Sequence, residues 1–123
     1  VELSEEERQT VQEVQNAQTK ESSRAAFLDD LQAPEPIDAE GQSRAVIWRE
    51  ETDLPQSTAA VLEAYRAQGA GRLMCSGYMD IKGNVWGGIV MSETWVDIIY
   101  VTSAEDGAAS TMRIVRLPAE SAG

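Results

Sequence analysis

The side chains that most often carry out catalysis are scarce in this chain. It contains no histidine and a single cysteine, Cys75. Without an imidazole there is no Ser-His or Cys-His pair and no histidine–cysteine metal cluster. The remaining candidates are the Cys75 thiol and the carboxylates of Asp80 and Asp97, which could form an acid–base pair.

Each of these candidates has a simpler structural interpretation. Cys75 lies in an apolar, strand-like run, and nothing nearby in sequence would lower its pKa, so we expect a small buried residue. Asp80 and Asp97 fall in non-adjacent rows of the predicted sheet, and Arg116 is expected beside Asp97. The sequence has no phosphate-binding glycine motif and no calcium-loop spacing. We therefore expect no catalytic residues, no metal and no cofactor. An enzyme that uses carboxylates or Cys75 stays as an alternative.

Length and charge restrict the possible partners. The 123 residues suffice for one small core, and the net charge is −11. Residues 1–51 carry thirteen acidic and five basic side chains, and residues 52–123 carry eight and five. Such acidity disfavours nucleic acid and anionic membrane surfaces, and no apolar stretch is long enough for membrane insertion. The acidity indicates either solubility or a cationic partner.

The first residue is Val1 rather than methionine. This start fits a mature chain trimmed after export, and equally a tag-cleaved or truncated one. One cysteine carries no information on the compartment. We expect an exported, periplasmic type of protein.

Residues 1–43 are predicted to form an acidic helical arm followed by a linker. Ser4 and Glu7 have the spacing of a capping box, and the helical pattern continues to residue 31. The apolar stripe is sparse, with a weak point at Gln15–Ser23, so this segment is either a partly frayed arm or two short helices. The second helix, Arg24–Gln32, includes Phe27. Residues 33–43 have the composition of a linker.

Residues 44–118 are predicted to form an α+β domain, with residues 119–123 as a tail. The order is β-α-β-β-β-β, an antiparallel sheet of about five strands with one helix on one face. The helix starts at the cap Asp53, has Pro55 in its first turn, and stops at Gly69. The strands are expected at 44–50, 72–81, 85–91, 94–102 and 111–117.

Alternation along these strands divides the sheet into two faces. A three-residue loop at Lys82–Asn84 and a two-residue turn at Ser92–Glu93 pair Met79 with Gly87 and Ile89 with Val96. One face is then almost purely apolar, and we expect the 54–68 helix to cover it. Its residues are Leu73, Cys75, Gly77, Met79, Ile81, Val85, Ile89, Met91, Val96 and Ile98.

The opposite face mixes two tryptophans with aliphatic and charged side chains, a composition typical of interfaces. We single out Tyr78, Trp86, Trp95 and Asp97 there as candidate binding residues. The tryptophans either form an exposed surface for a partner or a second subunit, or lie beneath the N-terminal arm as a second core.

The expected function is a non-catalytic protein-binding module or accessory subunit, acting through the Trp86/Trp95 face, the acidic arm, or both. Its partner would be another protein or a second copy of the chain. The alternative is an acidic inhibitor or immunity-type protein that blocks a cationic site on an enzyme or toxin.

Overall fold

The computed structural model describes residues 2–17, 19–32, 44–69 and 71–119. These residues form an α+β structure with one six-stranded sheet. The predicted linker at 33–43 and most of the predicted tail lie outside the described residues. The helices are α1 (Glu5–Glu13), α2 (Arg24–Gln32) and α3 (Leu54–Gln68), and the strands are β1 (Lys20–Glu21), β2 (Arg44–Glu50), β3 (Arg72–Tyr78), β4 (Val85–Met91), β5 (Trp95–Ser103) and β6 (Ser110–Pro118).

The N-terminal segment consists of two short helices. The capping box that begins α1 is confirmed: Ser4 N–H donates to Glu7 Oε1 over 2.8 Å, and Glu7 N–H donates to Ser4 Oγ over 3.2 Å. The helix ends at Glu13 and continues as a single 3₁₀ turn. Strand β1, which the sequence pattern did not reveal, then pairs in parallel with β2. The N-terminal segment is therefore joined to the sheet.

Helix α3 forms where its end signals predict it. The Asp53 side chain accepts a hydrogen bond from Gln56 N–H over 2.9 Å, and Pro55 lies in the first turn. Gly69 ends the helix with a φ of 61°, a left-handed conformation that costs glycine little.

The strand order is β1-β2-β6-β5-β4-β3, which leaves β3 at one edge. The expected placement of Arg116 beside Asp97 is confirmed: β5 and β6 pair with Asp97 opposite Arg116 and Thr102 opposite Thr111. The β4–β5 register differs from the predicted one by two residues, because Ser92 N–H bonds to Trp95 C=O and the turn is Glu93-Thr94. A shift of two residues leaves every side chain on its predicted face.

The β3–β4 pairing departs further from the prediction. Met79 N–H donates to Val85 C=O over 2.7 Å, so the loop spans residues 80–84 rather than three residues. A bulge between Leu73 and Cys75 also shifts the register. The bulge changes the face of Leu73, which lies opposite Val90. Leu73, Ile81 and Met91 were predicted to be core residues, and all three are exposed.

Helices cover both faces of the sheet, and the prediction that α3 covers the face of Cys75 is wrong. Helix α1 covers the face of Cys75, where Val11 is fully buried. Helix α3 covers the opposite face and packs Val61 and Tyr65 against the tryptophan cluster. A Cβ at Gly87 would lie 2.6 Å from Val11 Cγ1, so glycine at this position permits the close approach of α1.

Candidate functional site

The two tryptophans singled out from the sequence belong to the core. Trp86 is 7% exposed and Trp95 is 4% exposed, so the expectation of an exposed tryptophan face is wrong. Helix α3 supplies most of the covering residues, and Phe27 of α2 contributes by stacking on Trp48. The alternative interpretation, that the N-terminal arm covers the tryptophans, therefore holds only for α2, which covers a small part of this face.

Asp97 lies at the centre of a buried polar network beneath α3. Its side chain is 0% exposed. It accepts hydrogen bonds from Arg116 Nε over 2.5 Å and Arg116 Nη2 over 2.6 Å, and the Tyr65 hydroxyl donates to the same carboxylate. The Arg116 guanidinium also lies 3.8 Å from the centroid of the Trp95 ring, a cation–π contact.

The position of Asp97 is poorly suited to acid–base catalysis. Burial raises the pKa of this carboxyl, and the hydrogen bonds and charge of Arg116 oppose that rise. The pKa of Tyr65 is raised well above its ordinary value, first by burial and then by the Asp97 charge. Every oxygen of this carboxylate is engaged by Arg116 or Tyr65, so the network joins α3 to the sheet.

Asp80 has a separate structural role in the loop after β3. Its Oδ1 accepts hydrogen bonds from Asn84 N–H over 2.8 Å and from Val85 N–H over 3.1 Å. Gly83 in the same loop has a φ of 73°. The carboxylate thus fixes the turn by bonding backbone donors, as aspartate commonly does in turns.

Cys75 is buried under the N-terminus of α1. Its thiol donates to Glu7 Oε2 over 3.1 Å. The pKa of the thiol is raised to about 11, first by burial and then by the Glu7 carboxylate, which accepts the thiol hydrogen bond and carries a negative charge. Because the thiolate is the nucleophilic form, this environment suppresses reactivity.

The exposed apolar surface collects at the β3 edge of the sheet. Among the described residues, five large apolar side chains are substantially exposed. They are Leu73, Met74, Tyr78, Ile81 and Met91. Four belong to β3 or the loop after it, and Met91 lies directly opposite Arg72. Tyr78 is the one sequence-predicted site residue that the structure places on this surface, at 46% exposure.

The backbone of β3 also presents hydrogen-bonding groups outwards. Since Met79 bonds inwards to Val85, alternation directs the N–H and C=O groups of Ser76 and Tyr78 away from β4. One of these groups is partly satisfied, because Arg8 Nη1 donates to Tyr78 C=O over 2.7 Å. The exposed apolar side chains and these outward backbone groups together define the candidate site, which we call the β3 edge (residues 72–81 with Met91).

Two of the concave regions beside the sheet lie next to α3. A groove of about 370 Å³ lies beside the β3 edge, where Leu73 meets Leu62 and Tyr65 of α3. A smaller cavity of about 180 Å³ lies between α2, α3 and β2, with Phe27 and Trp48 in its wall and Arg24 and Glu50 among its lining residues. The groove extends the apolar surface of the β3 edge.

Sequence reasoning missed the β3 edge because strand order, rather than composition, creates it. Leu73 and Met91 were visible as apolar residues, but alternation alone assigned them to the core. The sparse charge of β3, which contains only Arg72, was the available signal, since edge strands commonly carry charges that block pairing.

Comparisons with known proteins found no matching family model, curated protein or solved structure. Within the described ranges, no three His, Cys, Asp or Glu side chains are grouped so that they could hold a metal ion. No helix in the part of the chain that the structure describes has the length and apolar character needed to cross a membrane.

Proposed function

We propose that this chain is a non-catalytic protein-binding module that accepts an extended strand along the β3 edge. The observation that carries the proposal is the grouping of exposed apolar side chains along an edge strand whose outward backbone groups are open apart from the Tyr78 carbonyl, which accepts from Arg8. In this mode of recognition, main-chain hydrogen bonds supply affinity and alternate side chains supply specificity.

The chemistry of the interior supports a binding role over catalysis. The thiol of Cys75 has a raised pKa and is buried. The carboxylate of Asp97 is held by Arg116 and Tyr65 beneath α3. Both groups are therefore used in packing, whereas the large apolar side chains of the β3 edge are exposed.

The proposal can be tested by selecting extended peptides from a random displayed library on the purified protein. The matched variants are Ser76→Pro, which removes an outward N–H, and Ser76→Ala, which keeps it. We expect selected peptides to bind the wild type and Ser76→Ala equally, and Ser76→Pro at least about tenfold more weakly. Amide chemical-shift changes should centre on residues 74–78. Binding that maps to another surface, or no selectable binding, contradicts the proposal.

A second candidate, the acidic inhibitor, is favoured by the outer surface of α1. Glu5, Glu6 and Glu13 of this helix are exposed, as is Glu2 just before it. A cationic partner bound through these carboxylates would lose affinity steeply with salt, whereas strand addition at the β3 edge depends much less on salt. Replacing the four glutamates by glutamine should abolish binding only in the inhibitor case.

A further inference from the structure

The cavity between α2, α3 and β2 combines an aromatic wall with a half-buried carboxylate. We propose that it binds a small primary amine that carries one aromatic ring, with the ring against Phe27 and Trp48 and the ammonium group at Glu50. Three strands separate β2 from β3 in the sheet, so this site is distinct from the β3 edge. The proposal goes beyond the strand-binding function and does not depend on it.

The size and the wall of the cavity fit a single aromatic ring. A cavity of about 150 Å³ is large enough to bind benzene. The volume of about 180 Å³ therefore accommodates one ring with a short substituent. Phe27 stacks on Trp48 with 4.9 Å between the ring centroids, and Val61 and Met112 add aliphatic surface to the lining. An aromatic ligand gains both apolar burial and ring–ring contacts against such a wall.

Glu50 supplies the charge that distinguishes one ligand from another. Its side chain is 25% exposed, and its Oε1 accepts a hydrogen bond from Trp48 Nε1 over 3.1 Å, which holds the carboxylate beside the indole. Arg24 Nε lies 3.9 Å from the same oxygen, too far for a hydrogen bond. A carboxylate has about four acceptor sites, and the bond from Trp48 is the one that Glu50 accepts among the described residues. Glu50 therefore retains the capacity to accept hydrogen bonds from an ammonium group.

The charges around the cavity favour a cation over an anion. Arg24 also lines the cavity, but its side chain is 56% exposed, so water screens its charge. The positive end of α3 is already occupied by the Asp53 carboxylate, which accepts a hydrogen bond from Gln56 N–H. The whole chain carries a net charge of −11, which attracts cationic ligands and repels anionic ones.

The hydroxyl groups beside the cavity are engaged with one another. Ser57 is 1% exposed, and its Oγ contacts Thr52 Oγ1 over 2.7 Å and also Ser110 Oγ. Ser110 Oγ donates to Thr52 C=O over 3.0 Å. Because these hydroxyls satisfy each other, we expect the polar group of the ligand to lie at Glu50 instead.

Titration of the purified chain with benzylamine, followed by NMR, tests the ligand class. We expect a dissociation constant of about 0.1–1 mM, since so small a ligand has limited binding free energy. The indole N–H resonance of Trp48 should shift. Benzyl alcohol, which is neutral, and phenylacetate, which is anionic, should bind at least about tenfold more weakly. No shift at tens of millimolar benzylamine, or equal binding of either analogue, overturns the proposal.

A pair of adjacent substitutions tests the role of Glu50. Glu50→Gln removes the charge but keeps an oxygen that can accept the Trp48 hydrogen bond, so it should weaken benzylamine at least about tenfold and leave benzyl alcohol unchanged. Glu51→Gln is the matched control, because Glu51 pairs with Arg49 and does not line the cavity. If the two variants bind benzylamine equally, Glu50 does not hold the ammonium group and the proposal is wrong.

A second pair tests the location. Ala60 lines the cavity, whereas the preceding residue of α3, Ala59, is exposed and does not. Ala60→Leu fills part of the space and should abolish binding of benzylamine and benzyl alcohol alike, whereas Ala59→Leu should bind both as the wild type does. Circular dichroism and the dispersion of amide resonances establish that each variant is folded. Benzylamine binding that survives Ala60→Leu at wild-type affinity places the ligand elsewhere and overturns the proposal.

Discussion

Replacement of Arg116 by methionine tests whether the network beneath α3 is a buried ion pair. Asp97 is 0% exposed, and both of its oxygens accept hydrogen bonds from Arg116. Removing one partner of a buried pair leaves an uncompensated charge and typically costs about 3–5 kcal/mol. Loss of the guanidinium contact with Trp95 adds to this cost. We expect the free energy of unfolding of Arg116→Met to fall by about 4 kcal/mol.

The chain supplies a matched control for this substitution. Arg66 also contacts a carboxylate through two nitrogens, that of Glu63, but this pair lies on the exposed surface of α3. Exposed pairs contribute about 0–1 kcal/mol, so Arg66→Met should have little effect. The double variant Asp97→Leu/Arg116→Met removes both buried charges and should cost much less than the sum of its single substitutions.

The cost of Arg116→Met should also depend on pH. Burial already raises the pKa of Asp97, and loss of Arg116 removes the main opposing influence, so the pKa rises further. A folded state that holds this proton more tightly than the unfolded chain loses stability as pH rises from about 3.9 to the pKa of the folded variant. The deficit relative to the wild type should therefore be smaller at about pH 5 than at about pH 8.

Urea unfolding followed by tryptophan fluorescence measures these differences, because Trp48, Trp86 and Trp95 are all buried. Wild type, Arg116→Met, Arg66→Met and the double variant are compared at both pH values. A cost for Arg116→Met below about 1 kcal/mol, or equal to that of Arg66→Met, would refute the assignment of a buried ion pair.

Two further predictions concern the α1 side of the sheet. Because the Cys75 thiol has a pKa of about 11 in the folded protein, the thiol of the unfolded chain ionises first as pH rises above about 9. The wild type should therefore lose about 2 kcal/mol of stability relative to Cys75→Ala as pH approaches 11. Urea unfolding of both proteins across this pH range measures the difference, and two stabilities that change with pH in parallel contradict the prediction. Gly87→Ala places a Cβ 2.6 Å from Val11 Cγ1 and should lower the free energy of unfolding by about 1–3 kcal/mol, measured by thermal unfolding. The double variant Gly87→Ala/Val11→Ala should recover part of this stability. A Gly87→Ala variant as stable as the wild type contradicts the close packing of α1.

Local signals in the sequence predicted local structure well. Capping residues located the start of α1 and of α3, and Gly69 located the end of α3. The pairing of Asp97 with Arg116 followed from alternation and one assumed register, because side chains directly opposite on one face must meet. Turn lengths were less predictable: the loop at 80–84 depends on the hydrogen bonds of Asp80 to backbone groups, which no apolar pattern encodes.

The apolar residues of the strands could not show which helix covers which face, because both faces carry a cluster of buried apolar side chains. Strands β2 and β3 are separated by four antiparallel pairings, so they run parallel and α3 is a crossover connection. Such connections are almost always right-handed. In this strand order, a right-handed crossover passes over the face that carries Trp86 and Trp95. Handedness therefore selects the face, and strand order was the missing information.

The same strand order explains why the proposed binding surface lies at an edge. With α1 on one face and α3 on the other, neither face of the central strands is free to contact a partner. The two edges differ: β1 pairs with only two residues of β2, which itself carries Arg49 and Glu50, whereas β3 contains seven residues and one charge. Short, charged edges resist pairing, and a longer apolar edge favours it. This difference is why we propose the β3 edge as the place where a further strand is added to this sheet.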